Sequence, residues 1–341
     1  MALSNRKWRR SGMPGAGALC ALGILLLVEA SLHSDVFMHR LRSVFAVGRA
    51  FDKVLYVEQR PPQILVLGNS RTDNGIDPAT LAASLSPGLG AFNLGLPGAN
   101  ATALLGIARR LDAESLFGPG RIERVLIGLD ESLLQAGDSL GYEVFFVVPD
   151  LWKDGFSDFL RSRLRLWGYA DNLKQLREPA KLIQFLDALR RPVEPIGGGA
   201  PERQGYRPGF GENQDAGQVA RQEAGSTAPP DEKVSSDFRA LLDLLEKRKV
   251  QVAVVFPPLL SRSVLYLEPQ HPGSKPYLAI RKDLAARDIP MFALAPSTEL
   301  LPTEFVNAGH LNDVGAQRFS EGLGLALRGV RGEIVERVEL P

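Results

Sequence analysis

An almost unbroken apolar run covers residues 15–28, is interrupted at Glu29 and resumes to Leu32. Beyond it the period changes. Over residues 40–59, Leu41, Val44, Phe45, Val47, Phe51, Val54 and Leu55 recur at helical spacing among Arg and Lys, which predicts a juxtamembrane amphipathic helix linking the apolar segment to a domain. Arg60-Pro61-Pro62 stops it, and Gln63-Ile64-Leu65-Val66-Leu67 reads as a short buried strand running straight into Gly68-Asn69-Ser70. A helix is expected over 76–85, opened by Asp77-Pro78, then a second strand, Ala91-Phe92-Asn93-Leu94, turning at Gly95-Leu96-Pro97-Gly98. A helix over 100–111 and a third strand over 124–129, ending at Asp130-Glu131, complete three strand–turn–helix units, the signature of a parallel, doubly wound α/β sheet.

The pattern then breaks and returns. Residues 155–189 are helical and charged, whereas 197–232 are rich in Gly, Pro, Gln and Glu with few large apolar residues and read as an exposed loop or disordered insert. An amphipathic helix over 238–249, a strand over 251–256, a helix over 277–287 and a strand over 290–294 restore the alternation. The expected organisation is a cytoplasmic basic tail (1–14), a signal anchor or transmembrane helix (15–32), a juxtamembrane helix (33–60), and an α/β domain in two parts (61–150 and 235–330). A helical insertion (151–196) and a Gly/Pro-rich flexible loop (197–234) divide the domain, and 331–341 form a C-terminal tail.

Charge and composition narrow the function. Lys and Arg number 40 against 39 Asp and Glu, and no long basic run interleaves with aromatics, so nucleic acid is not an expected partner. The single cysteine, Cys20, excludes an internal disulfide and cysteine-based zinc or redox sites, and it lacks the small residue expected before a lipidated cysteine. Arg6, Lys7, Arg9 and Arg10 ahead of the apolar run place the N-terminus in the cytoplasm and the remainder outside it. Val28-Glu29-Ala30 also offers a cleavage pattern, so a removable signal stays open beside an uncleaved anchor with Glu29 among the outer headgroups.

Acid–base chemistry must draw on four histidines: His33, His39, His271 and His310. Ser70, directly after a strand and between Gly/Asn and a following segment, sits where a nucleophile belongs in an open α/β sheet, although a turn serine looks the same. His310 lies in the loop Asn307-Ala308-Gly309-His310-Leu311-Asn312 ahead of a terminal helix, and Gly95 at a strand end can present an N–H to an oxyanion. Asp130 and Glu131 read as strand-end caps before a paired-carboxylate site. His271 reads as a solvated loop residue, and His33 and His39 as neighbours of the membrane interface. Trp152, Trp167 and Phe156 are expected to pack inside the insert, with sugar contact as the alternative. Gly197 to Gly199 lacks the partners of a phosphate loop.

In this order, Gly68-Asn69-Ser70-Arg71-Thr72 with Gly75-Ile76-Asp77-Pro78, Asn93-Leu94-Gly95-Leu96-Pro97-Gly98, and His310-Leu311-Asn312 with Gly315-Ala316 resemble the SGNH (GDSL-like) hydrolase superfamily. The likeness is to its membrane-anchored branch, which includes the periplasmic alginate O-acetylation proteins and the lipoteichoic-acid D-alanylation protein. It covers roughly 63–135 and 235–325. It implies a three-layer flavodoxin-like fold, Ser70 as nucleophile, His310 as general base and then acid, and the Ser70 and Gly95 N–H groups as the oxyanion hole, with no metal or organic cofactor. It further implies an acyltransferase or esterase working on O-acyl groups of a cell-surface polysaccharide, on the periplasmic side of a bacterial inner membrane. A membrane-bound O-acyltransferase-type acyl donor protein is the implied partner.

Two departures qualify the implied site. Asn307 stands where the family carries an acid three residues before the histidine, with Glu304 and Asp313 as nearby substitutes. Gly128-Leu129-Asp130-Glu131 replaces Gly-x-Asn-Asp, removing an asparagine donor and adding a carboxylate; Asn69, Asp130 and Glu304 are candidate supports. These departures hold open a catalytically silent scaffold or polysaccharide-binding component. A flavodoxin-like ligand-binding domain accounts for the strands but not for Ser70 with His310.

Overall fold

The computed structural model describes residues 15–34, 45–137, 140–145, 155–190, 202–208, 215–222, 224, 228–260, 275–295, 298, 300–330 and 334–338. His39, His271, Trp152, Gly197 to Gly199 and the basic tail lie outside these residues.

Five short apolar runs become the parallel strands β1 (Ile64–Gly68), β2 (Ala91–Gly95), β3 (Arg124–Gly128), β4 (Gln251–Val255) and β5 (Met291–Leu294). They form a sheet in the order β2-β1-β3-β4-β5, and pairing of β3 with β4 joins the two halves of the domain across the insertion. A hairpin of β6 (Phe305–Asn307) and β7 (His310–Leu311) stands apart. Within 331–341, assigned to a tail by the sequence pattern, β8 (Val335–Arg337) adds an antiparallel edge to β5.

Both faces of the sheet are covered, which is why the strands read as continuous apolar runs. Leu65, Leu67, Phe92, Leu94, Val125 and Ile127 point into one core, with helices α2 (Ala46–Gln59), α5 (Ala101–Ala113), α10 (Glu232–Lys247) and α11 (Lys275–Ala286). The alternate residues Ile64, Val66, Ala91 and Leu126 point into the other, with α4 (Pro78–Leu85) and α12 (Asp313–Leu327). The fold is thus α/β with helices on both sides of a mostly parallel sheet.

Three expectations change. The helix α2 is part of the domain rather than a connector, since Val47, Ala50, Phe51, Val54 and Val57 are buried in its core. Described parts of the Gly/Pro-rich segment pack on the domain: Tyr206 and Val219 are buried, and Gly205 lies close against Asn93 and Phe92, where a side chain would collide. In the insertion, α6 (Phe156–Arg163), α7 (Arg165–Gly168), α8 (Ala170–Lys174) and α9 (Pro179–Arg190) form as expected, but Phe156 and Trp167 are exposed instead of packed inside. The apolar run forms α1 (Ala16–Leu32), 17 residues or about 25 Å, and no helix among the described residues is long and apolar enough to cross a membrane. Glu29 accepts the Arg165 and Leu166 N–H groups at 2.8 Å each and so caps α7.

Candidate active site

Ser70 opens the short helix α3 (Ser70–Gly75) at the carboxyl edge of the sheet. Asn69 caps that helix by accepting the Arg71 N–H at 3.0 Å. Each of β1, β2 and β3 ends in glycine, and the helix sits where their side chains would be: a Cβ at Gly68 or Gly128 would overlap Thr72, and one at Gly95 would meet the Asp73 backbone. The glycines therefore let α3 settle on the strand ends, and that contact sets the height of Ser70 above the sheet.

His310 arrives from the other end of the chain. The β6–β7 hairpin carries it, with the Leu260 N–H bonded to the Ala308 carbonyl and Asn312 capping α12 through the Gly315 N–H. The helix α12 is locked to α4 by Ser320, which accepts the Asp77 N–H at 2.8 Å. Because α4 follows α3, this packing brings His310 Nε2 within 2.9 Å of Ser70 Oγ across 240 residues of sequence. Both residues are half-buried, so the pair is reachable from solvent.

Asn307 Oδ1 lies 3.0 Å from His310 Nδ1 and also accepts the Gly309 N–H at 3.0 Å. The backbone donor identifies that amide atom as oxygen, so Nδ1 must carry the ring proton and Nε2 presents its lone pair to the serine hydroxyl. Burial, followed by the charge of Arg71, lowers the His310 pKa from its ordinary value; Asp130 and Asp73 pull the other way. A neutral imidazole with its basic nitrogen on a serine hydroxyl is equipped to take the hydroxyl proton.

The other expected site residues divide. Asp130 is engaged inside the protein: both its oxygens accept from Asn69 Nδ2 at 2.8 Å, and it also takes the Ser132 hydroxyl and the Leu133 N–H. Arg71 lies 3.2 Å from Asp130 and forks onto Glu131 at 2.7 and 2.9 Å, so the two carboxylates at the end of β3 share the guanidinium of the residue next to the serine. The Gly95 N–H donates to Asn93 Oδ1 at 2.8 Å, so in this structure it is spent inside the protein and not presented as an oxyanion donor. Glu304 does not reach the histidine; it binds the Leu301 N–H and Arg318. Asp313 accepts from the Tyr206 hydroxyl. His33 pairs with Glu29 at 2.9 Å, far from this chemistry in the sequence and in its contacts.

A buried charge cluster beneath α3 was not legible in the sequence. Asp73 is held by a two-pronged contact from Arg49, at 2.5 and 2.7 Å, and by Lys53 Nζ at 2.8 Å. Lys53 also donates to the Gly95 carbonyl at 2.7 Å, and Arg49 to the Gly205 carbonyl at 3.3 Å. Burial would raise the Asp73 pKa, but the two cations overcome it and hold the carboxyl below its usual range. The only signal in the sequence was the i, i+4 spacing of Arg49 and Lys53, which is equally the mark of a solvated helix face. Among the described residues no group of three or more His, Cys, Asp or Glu side chains is placed to hold a metal ion.

Neither the known protein families nor the curated proteins contain a match to this chain.

Proposed function

We propose that this chain is an SGNH-like serine acyltransferase or esterase that moves O-acyl groups, acetyl first among them, on a cell-surface polysaccharide. The observation that carries the reading is the 2.9 Å contact of Ser70 Oγ with His310 Nε2, with Asn307 behind the ring. Ser70 Oγ attacks the acyl carbonyl as its proton passes to Nε2, and the tetrahedral oxyanion is met by the Ser70 N–H, a first-turn donor with no partner inside its helix. The intermediate collapses to an acyl-Ser70 ester, and the departing alkoxide takes the proton from His310. A glycan hydroxyl, or water, then gives its proton to Nε2 and attacks the ester, and Ser70 Oγ leaves with that proton returned from His310, completing transfer or hydrolysis. Asn307 aligns the imidazole but adds no charge to steady the imidazolium, so the turnover expected is modest. No metal or organic cofactor takes part.

The same reading places the domain in the periplasm of a bacterial inner membrane. The helix α1 enters the bilayer with Arg6, Lys7, Arg9 and Arg10 on the cytoplasmic side, its 17 residues lying at the short end of the roughly 17–25 that span a hydrocarbon core. A membrane-bound O-acyltransferase-type protein supplies the acyl group.

The test is fluorophosphonate labelling of the full chain, with the adduct located by mass spectrometry. Labelling at Ser70 that disappears in Ser70→Ala and His310→Ala supports the enzyme. Absence of labelling in folded protein overturns it in favour of a second reading, a silent scaffold or polysaccharide-binding component. That reading draws on one observation, the Gly95 N–H held by Asn93 in place of an open donor.

A further inference from the structure

Of the sixteen large apolar side chains exposed among the described residues, six lie on α1 and seven on the helical insertion. The helix α9 concentrates them. Phe185 and Ala188 face the domain, with Phe185 6.2 Å from the Phe45 ring, while Leu182, Ile183 and Leu186 form a second apolar stripe that is exposed. An ordinary surface helix would be polar there. Contiguous apolar surface on the outside of a folded domain marks a partner or a membrane.

Two observations choose between them. The insertion is fastened to the end of α1: Glu29 caps α7 through the Arg165 and Leu166 N–H groups, and Arg165 donates to the Leu32 carbonyl at 2.8 Å while lying 5.1 Å from the Phe51 ring. Whatever surface α1 enters therefore lies beside the insertion. Residues 155–190 also carry seven Lys and Arg against four Asp and Glu, in a chain whose net charge is only +1. The surplus lies in residues 155–177, between α1 and α9, and an apolar helix joined to such a basic segment fits a bilayer containing anionic lipid, where such helices settle roughly 5–10 Å into the headgroup and acyl boundary.

We infer that the insertion is a lipid-contacting element: α9 lies on the bilayer beside α1 and holds the Ser70 domain at a fixed orientation over it. This rests on the anchored reading of α1 proposed above. Flexible tethering by α1 alone would leave the orientation free, whereas a second contact at α9 constrains it.

The test uses the full chain with Trp8→Phe, Trp152→Phe and Trp167→Phe, which removes all three native tryptophans, and Ile183→Trp as the sole reporter. It is reconstituted into vesicles of phosphatidylcholine with phosphatidylglycerol, some made with lipids brominated in the upper acyl chain. The expected result is a blue shift and loss of emission from the reporter in brominated vesicles, both reversed by Leu186→Glu, at a position 44% exposed, in a chain whose circular dichroism matches the parent. A reporter that keeps its emission overturns the inference and leaves the stripe to a protein partner, and so does quenching that Leu186→Glu fails to relieve. Retention through an alkaline carbonate wash reads the α1 anchor separately. A retained chain with an unquenched reporter sinks the lipid contact alone, and a quenched reporter on a chain that washes off sinks the anchor alone.

Discussion

Asn307 Oδ1 holds the proton-bearing Nδ1 of His310 at 3.0 Å while accepting the Gly309 N–H at the same distance, so one amide oxygen fixes both the ring and the loop that carries it. Asn307→Ala removes the ring's only orienting acceptor among these contacts. Fluorophosphonate labelling of Ser70 is expected to slow on the order of tenfold to a hundredfold, short of the larger losses seen when a charged triad member is replaced. Asn307→Asp should restore or raise the rate, and equal rates in all three chains would show that this contact does not orient a working base.

The acid limb of that labelling follows from His310. Its folded pKa lies below the ordinary 6.5 or so, so the midpoint of imidazole protonation falls at a pH below that value. Labelling should therefore exceed half its plateau at pH 6.5 and pass through its midpoint at lower pH. Arg71→Met removes a positive charge that disfavours imidazolium, and the limb should move to higher pH. A limb centred above 6.5 in the unaltered protein is the outcome that contradicts the assignment.

Gly128 gives Thr72 its space. Gly128→Ala sets a methyl group into the Thr72 side chain and is expected to destabilise the fold by about 1–3 kcal/mol. Thr72→Ala in the same chain should recover most of the loss. The collision is chiefly with Oγ1, which has no hydrogen-bond partner among the described residues. Urea unfolding of the two single variants and the double variant measures the coupling, and strict additivity would refute it.

Removal of the buried carboxylate should be costly. Asp73→Ala leaves Lys53 and Arg49 facing each other without their counter-ion, and the expected loss is about 3–5 kcal/mol. In the unaltered protein the lowered Asp73 pKa makes this contribution fully present above the unfolded value of about 3.9, and it is lost as pH falls through the folded value. Thermal unfolding followed from pH 5 to pH 2 should show a larger acid-dependent loss in the parent chain than in Asp73→Ala.

The sequence by itself determined the strands, the glycines that end β1, β2 and β3, and the candidacy of Ser70, His310 and Asn307. Those features are local: a buried parallel strand must be apolar throughout, and a turn at its end must tolerate close backbone approach. Tertiary structure alone decided what those residues touch. The 2.9 Å approach of Ser70 to His310 depends on α12 locking to α4, and the spent Gly95 N–H depends on the orientation of the Asn93 side chain. The inward turn of Arg49 and Lys53 onto Asp73, the burial of Tyr206 in a segment of loop composition, and the pairing of β8 with β5 belong to the same class. None of these leaves a periodic trace, because a charge or polar group placed against a distant partner has the same local pattern as one placed in water. The energy that separates the two arises only when the chain has folded.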